Sequence, residues 1–222
     1  MRVILASTSP RRQELFALLG VPFEVRPPAF EERVVSGRSG KELVASFARG
    51  KAYSVAKDNP DAVVLGSDTL IELDGEVMGK PVDLIEARAM LRRVAGREHL
   101  VHTAVTLSCL ARLIETTQVS TACVRMKPFS VEEHERYLAT GDSLGKAGAY
   151  SIQGPGGELV ESVDGDFLSV VGFPLRLVAM FLTQAGVTVP VDIDRLYATM
   201  PYGNWRRFQS PSGSCQGPIA KG

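Results

Sequence analysis

Residues 63–81 read VVLGSDTLIELDGEVMGKP. Val63, Val64 and Leu65 form a short, β-branched apolar run of the kind that makes a buried strand. Asp68 follows directly, which places it where that strand is expected to end. Asp74-Gly75 predicts a tight hairpin turn, because glycine tolerates the positive φ such turns need. The hairpin returns Lys80, fixed between Gly79 and Pro81, toward the same end. A carboxylate and a returning lysine in one place suit a metal-phosphate substrate. The plainer alternative is an aspartate that caps its own loop, a common use of the residue.

Upstream, residues 2–6 (RVILA) read as a strand, and Ser7-Thr8-Ser9-Pro10-Arg11-Arg12 leads from it into a helix. Ser9 is the expected N-cap, with Pro10 at the first helical position, where its missing N–H costs nothing. Leu15, Leu18 and Leu19 form the expected buried face, and Gly20 ends the helix. Free backbone N–H groups, hydroxyls and two guanidinium forks at one helix start make an anion site. The alternative is a pair of solvated arginines, although the helix dipole disfavours cations there. Phe23 to Val25 predicts a second short strand. Glu31-Glu32 follows, a metal site or plain surface charge. Ser39 and Glu42 have capping-box spacing and open a helix to about Lys57. Its apolar stripe runs Leu43, Phe47, Val55 in steps of four, with Lys51 at the missing place. That lysine either snorkels to solvent or aims its ammonium into a cleft with an anionic partner.

Downstream, Asp83 and Glu86 cap a helix expected over residues 84–95. Two alternating segments, 99–110 and 113–126, predict paired antiparallel strands. His99 and His102 read as strand-face residues rather than ligands. Ser130 and Glu133 cap a further helix that ends at Gly141, with His134 on its exposed side. The glycine-rich segment 141–157 carries Lys146, Tyr150 and Gln153, and its backbone permits close approach of a ligand. The Gln153 amide both donates and accepts, as a base edge requires. Strands are expected near 158–163 and 166–171, then a last amphipathic helix from Pro174 to Gly186. Residues 187–222 read mostly as a tail, partly disordered.

A chain of 222 residues, 45% apolar and 23% charged, is ordinary globular material. Lys+Arg and Asp+Glu both number 25, so the formal net charge is zero. That balance argues against a broad nucleic-acid or anionic-membrane surface. Cys109, Cys123 and Cys215 are too few and too far apart for a zinc site or a disulfide framework, which points to a reduced, cytoplasmic setting. No apolar run approaches a membrane span.

Taken together, the Ser7–Arg12, Phe30-Glu31-Glu32, Gly66-Ser67-Asp68-Thr69, Gly79-Lys80-Pro81, Lys146–Gly154 and Val170–Leu175 motifs stand in an order that closely resembles the Maf family of nucleoside triphosphate pyrophosphatases. The resemblance spans residues 2–186, leaving 187–222 outside it. It implies an α/β fold like that of the inosine-triphosphate pyrophosphatases: an elongated mixed sheet with flanking helices and two lobes around a central cleft. It also implies hydrolysis of a nucleoside triphosphate to monophosphate and pyrophosphate, dependent on Mg²⁺ or Mn²⁺. Related proteins suggest a homodimer. Arg11, Thr69 and Gln153 match the branch acting on dTTP and UTP rather than the 7-methyl-GTP branch. Two departures from the family pattern are Gly145 and Gly165-Asp166-Phe167.

The site expected on this basis has Asp68 as the base that takes a proton from water and as a metal ligand. Glu31 is the second metal carboxylate, with Glu32 behind it. Ser7, Arg11, Lys51 and Lys80 bind phosphate, while Thr69 and Gln153 complete the substrate contacts. The expectation requires Asp68 to lie beside positions 11, 51 and 80 and to face open solvent. Two other functions remain open at this point, a 7-methyl-GTP or broad-range pyrophosphatase and a non-catalytic nucleotide sensor of cell division.

Overall fold

The computed structural model describes residues 1–35 and 37–208. Cys215, with the part of the expected tail from residue 209 onward, lies outside the described residues. In chain order the elements are β1 (Val3–Ala6), α1 (Pro10–Ala17), β2 (Glu24–Arg26), α2 (Gly40–Ala56), β3 (Val63–Leu73) and β4 (Glu76–Met78). There follow α3 (Leu84–Val94), β5 (Glu98–Cys109), β6 (Ile114–Met126), α4 (Val131–Ala139) and β7 (Val160–Asp164), then α5 (Phe167–Val171), α6 (Leu175–Gln184), α7 (Ile193–Thr199) and α8 (Gly203–Phe208).

Among the described residues seven strands form one mixed sheet in the order β2-β1-β3-β5-β6-β7, with β4 paired to β3. The fold class is the α/β arrangement expected from the sequence. β1 runs parallel to both its neighbours, with Leu5 opposite Val25 on one side and Leu65 on the other. β3 and β4 form the antiparallel hairpin, turning at Asp74 (φ 54°) and Gly75 (φ 80°), the left-handed pair of a type I′ turn. β7 adds to β6 antiparallel, with a register shift between Arg125 and Met126.

The chain divides into two compact units, and the long strands β3, β5 and β6 contribute residues to each. The first comprises Met1–Thr69, Thr103–Ser120 and Gly172–Pro201. Ile4, Ala6, Val55, Ala56, Ala62 and Val64 make one of its core clusters, with Leu110 packed against it. Phe16 makes ring contacts with Phe23 and Phe173 there as well. The second comprises Leu70–His102, Thr121–Val171 and the chain from Tyr202. There α3 buries Ala87, Leu91 and Val94, one helical stripe, and is tied to α4 by a bidentate pair, Arg88 to Glu135 at 2.6 and 2.7 Å.

Four expectations need correction. β3 does not stop before Asp68 but runs eleven residues to Leu73, because the backbone stays in the sheet and buries Ser67 and Asp68. Residues 167–171 are helix, not strand: Asp166 accepts from the Leu168 N–H at 3.1 Å and the Ser169 hydroxyl at 3.0 Å, a local cap that outweighs the β-branched composition. His134 is buried, since it opens the stripe His134, Tyr137, Leu138 on the inner face of α4. Residues past 186 are not simply a tail. Asp192 caps α7, and α8 stacks Trp205 and Phe208 on Phe167 at 6.1 and 6.3 Å between centroids. Among the described residues no helix is long and apolar enough to cross a membrane.

Candidate active site

Gly66 decides how the first unit builds its charged centre. A Cβ at this position would sit 2.5 Å from the Ala48 carbonyl oxygen and 2.6 Å from the Ala52 nitrogen. Only glycine lets the backbone of α2 lie directly on β3. Lys51, between those two helix residues, is thereby brought over Asp68, two residues beyond Gly66. The Lys51 ammonium donates to Asp68 Oδ1 at 2.6 Å, and both residues are buried. Of the two sequence readings for Lys51, the buried cation with an anionic partner is the one observed.

A second carboxylate reaches the same ammonium. Phe30 lies over Gly50, where a Cβ would meet its ring at 2.1 Å, and also packs against Phe47. This aromatic anchor holds the 30–33 segment on α2, and Glu32 Oε1 comes within 2.6 Å of Lys51 Nζ. Glu31 instead pairs with Arg33 at 2.6 Å and is largely exposed. The structure therefore brings Glu32, not Glu31, to Asp68 and Lys51. Of the two adjacent carboxylates, one turns to Lys51 and the other to Arg33.

The expected open carboxylate is also not observed. Asp68 is 2% exposed, and its Oδ2 has no hydrogen-bond partner among the described residues. A buried, unpaired carboxylate oxygen is costly unless another cation or donor joins it. It is a hard oxygen donor, and with Glu32 it suits a hard divalent cation such as Mg²⁺. Among the described residues no three His, Cys, Asp or Glu side chains group closely enough to hold a metal ion. The protein's own donors here are two carboxylates, few enough that a cation would draw on phosphate oxygens and water to complete its shell.

The β1–α1 loop contributes to the same unit. Ser7 is buried, and its hydroxyl accepts from the Ser9 N–H at 3.1 Å. Ser9 occupies the N-cap position and Pro10 the first turn, as the sequence predicts, but the Ser9 side chain makes no capping bond. Arg12 is the arginine that joins the site framework, donating to the Gly172 carbonyl at 2.9 Å and to Thr69 Oγ1 at 3.1 Å. Burial pulls the Arg12 pKa below its ordinary value, and the charges of Asp68 and Glu32 act in the opposite direction. Thr69 also shares a hydrogen bond with Thr103 at 2.9 Å. Arg11, half-buried, is engaged in an interaction of its own. The sequence reading counted Arg12 as one of two guanidinium forks at this helix start but carried only Arg11 into the expected site. Two neighbours on a helix face different ways, and Arg12 is the one that meets Thr69.

Lys80 and Gln153 belong to the second unit. Lys80 is exposed, and the Gly79 carbonyl before it accepts from the Gly148 N–H at 3.0 Å. That bond ties the Lys80 loop to the 146–154 segment. Gln153 is half-buried in a tight run closed by Gly154 N–H to Ser151 O at 3.2 Å and Gly157 N–H to Gly154 O at 3.0 Å. Tyr150 is buried against His99, Oη to Nε2 at 2.8 Å. Burial pushes the Tyr150 hydroxyl pKa up, and brings that of His99 down to about 4.

Comparison with known proteins finds relatives over most of the chain. The Maf-like protein family model matches residues 2–185. A dTTP/UTP pyrophosphatase of Symbiobacterium thermophilum is 44% identical over 188 residues, 85% of this chain and 96% of that protein. A dTTP/UTP pyrophosphatase of Bacillus velezensis is 46% identical over 174 residues, 78% of this chain and 91% of that protein. Among solved structures, a HAM1 protein from Coxiella burnetii aligns with TM-score 0.47 and 15% identity over 83% of this chain and 99% of that one. A likeness that distant adds nothing to what the sheet order shows directly.

Proposed function

We propose, taking as premise that this chain belongs to the Maf family, that it hydrolyses dTTP and UTP to the nucleoside monophosphate and pyrophosphate. The observation that carries the reading is the buried Lys51–Asp68 pair with its unpartnered Oδ2. Asp68 Oδ2 is a carboxylate oxygen with no donor on it among the described residues, free to accept a proton from water, and the lysine beside it is a ready phosphate ligand. The named activity of the relatives supports the same reaction and the same nucleotides.

In this reading water adds to the α-phosphorus, its proton passes to Asp68, and the bridging oxygen leaves with pyrophosphate. Lys51 exchanges its carboxylate partners for phosphate oxygens as substrate arrives, which opens the shielded Asp68. Ser7, Arg11 and Lys80 are assigned to the phosphates. Thr69, held by Arg12 and Thr103, shapes the wall nearby. Gln153 reads the O4/N3–H edge shared by uracil and thymine, a hydrogen-bonding match that rejects bases lacking it. Asp68 and Glu32 would hold Mg²⁺ or Mn²⁺, which supplies charge neutralisation of the triphosphate. The reading places the protein with the cytoplasmic nucleotide pool, and its zero net charge fits a small-molecule rather than a polynucleotide substrate.

The test is pyrophosphate release from a panel of dTTP, UTP, CTP, GTP and 7-methyl-GTP, with and without Mg²⁺. Release from dTTP and UTP that needs the cation is expected. Release from 7-methyl-GTP, or tight binding with no product, would replace this reading with a broader hydrolase or a nucleotide sensor.

A further inference from the structure

Asn204 lies in α8, beyond the residues matched by the family model. Its side-chain nitrogen donates to the Ile152 carbonyl at 2.7 Å and to the Gly154 carbonyl at 3.4 Å. The Ile152 carbonyl belongs to the peptide that enters Gln153 and the Gly154 carbonyl to the second peptide after it, so one amide holds the backbone on both sides of that side chain. The grip is tight from below as well. A Cβ on Gly157 would come within 2.6 Å of both Asn204 Nδ2 and the Ile152 oxygen. α8 is itself fixed, because Trp205 and Phe208 are buried and stack on Phe167.

We infer that α8 is a specificity support added to the family domain, with Asn204 as the positioning residue that orients Gln153 toward the pyrimidine edge. The inference rests on the proposed role of Gln153. The physical reason is that a flexible glutamine reads a base well only if its backbone is fixed, since any ordering left to the moment of binding weakens discrimination. The 151–157 run is short of side chains that could do this, with Gly154, Gly156 and Gly157 among its seven residues. Two hydrogen bonds from outside the loop supply the rigidity its composition lacks.

The experiment uses the full chain and compares UTP with CTP in the presence of Mg²⁺. Asn204→Ala should raise KM for UTP and lower the UTP-over-CTP preference by roughly 3- to 10-fold, the scale of one or two lost hydrogen bonds, with kcat little changed. Amide exchange at Gly154 and Gly157 should quicken in the same variant. In a Gln153→Ala background, Asn204→Ala should add no further loss of preference, because the two residues act as one unit. Asn204→Asp, equal in size but without the N–H donors, serves the same purpose should the alanine variant fail to fold. A normal UTP-over-CTP preference in folded Asn204 variants, or losses that add in the double variant, overturns the positioning role alone. An unaltered preference in Gln153→Ala removes the base-reading assignment and the positioning role with it.

Discussion

Lys51 holds two carboxylates on one ammonium, Asp68 and Glu32 each at 2.6 Å. A buried aspartate and an exposed glutamate around one cation leave an excess of acceptor oxygen, and Asp68 Oδ2 is a buried oxygen left without a hydrogen-bond partner among the described residues. Such a cluster is poor evidence for stability, because desolvating the charges offsets much of their attraction. It is better understood as a site poised for a further cation or a phosphate. Replacing Asp68 with Asn keeps the shape and removes the proton acceptor. We predict that Asp68→Asn retains the fold, by circular dichroism and melting, while pyrophosphate release from UTP falls by roughly 10²–10⁴-fold. Near-normal turnover in the folded variant would take Asp68 out of the role of base. Glu32 was legible only as one of two adjacent acids. Which of them turns inward depends on Phe30 seating over Gly50, a contact that no local sequence rule supplies.

At the scale of elements, the packing of α2 on β3 carries the site. Ser39 and Glu42 start α2 with both halves of a capping box, Ser39 Oγ accepting from the Glu42 N–H at 3.3 Å and Glu42 accepting from the Ser39 N–H at 2.9 Å. The helix backbone then lies directly against the sheet at Gly66. A methyl group there would strike helix backbone rather than a flexible side-chain end, so the helix itself must retreat. Gly66→Ala is expected to lower stability by about 1–3 kcal/mol, as overpacking does. It should also weaken activity, since Lys51 moves with the helix. A urea midpoint and a turnover number both equal to those of the parent chain would show that α2 is not held by this contact.

At the scale of the molecule, stability should depend on acidity through the buried imidazoles. His99 has its pKa lowered from 6.5 to about 4 by burial, and His134 is lowered in the same direction by the same cause. The unfolded chain therefore takes up a proton near pH 6.5 that folded His99 refuses until about pH 4. Over that window the unfolded state binds more protons, so stability falls as the solution is acidified, by at most about 3 kcal/mol for His99. His99→Gln, which keeps a hydrogen-bonding group beside Tyr150 without the titration, should flatten the urea midpoint against pH across this range. An equally steep slope in that variant would assign the acid sensitivity elsewhere. The sequence by itself determined what depends on neighbours along the chain: the strand-loop-helix start at Ser7–Arg12, the capping boxes at Ser39 and Ser130, the Asp74-Gly75 hairpin and the family membership read from its ordered motifs. Tertiary structure decided what depends on distant partners. It buried Asp68 under Lys51, chose Glu32 over Glu31 and Arg12 for the Thr69 contact, and turned His134 inward. It also made Ile193–Thr199 and Gly203–Phe208 into helices, α7 and α8, rather than a tail. Periodicity and capping act over three or four residues, whereas burial and charge pairing are set by side chains brought together from far along the sequence, and those no local pattern records.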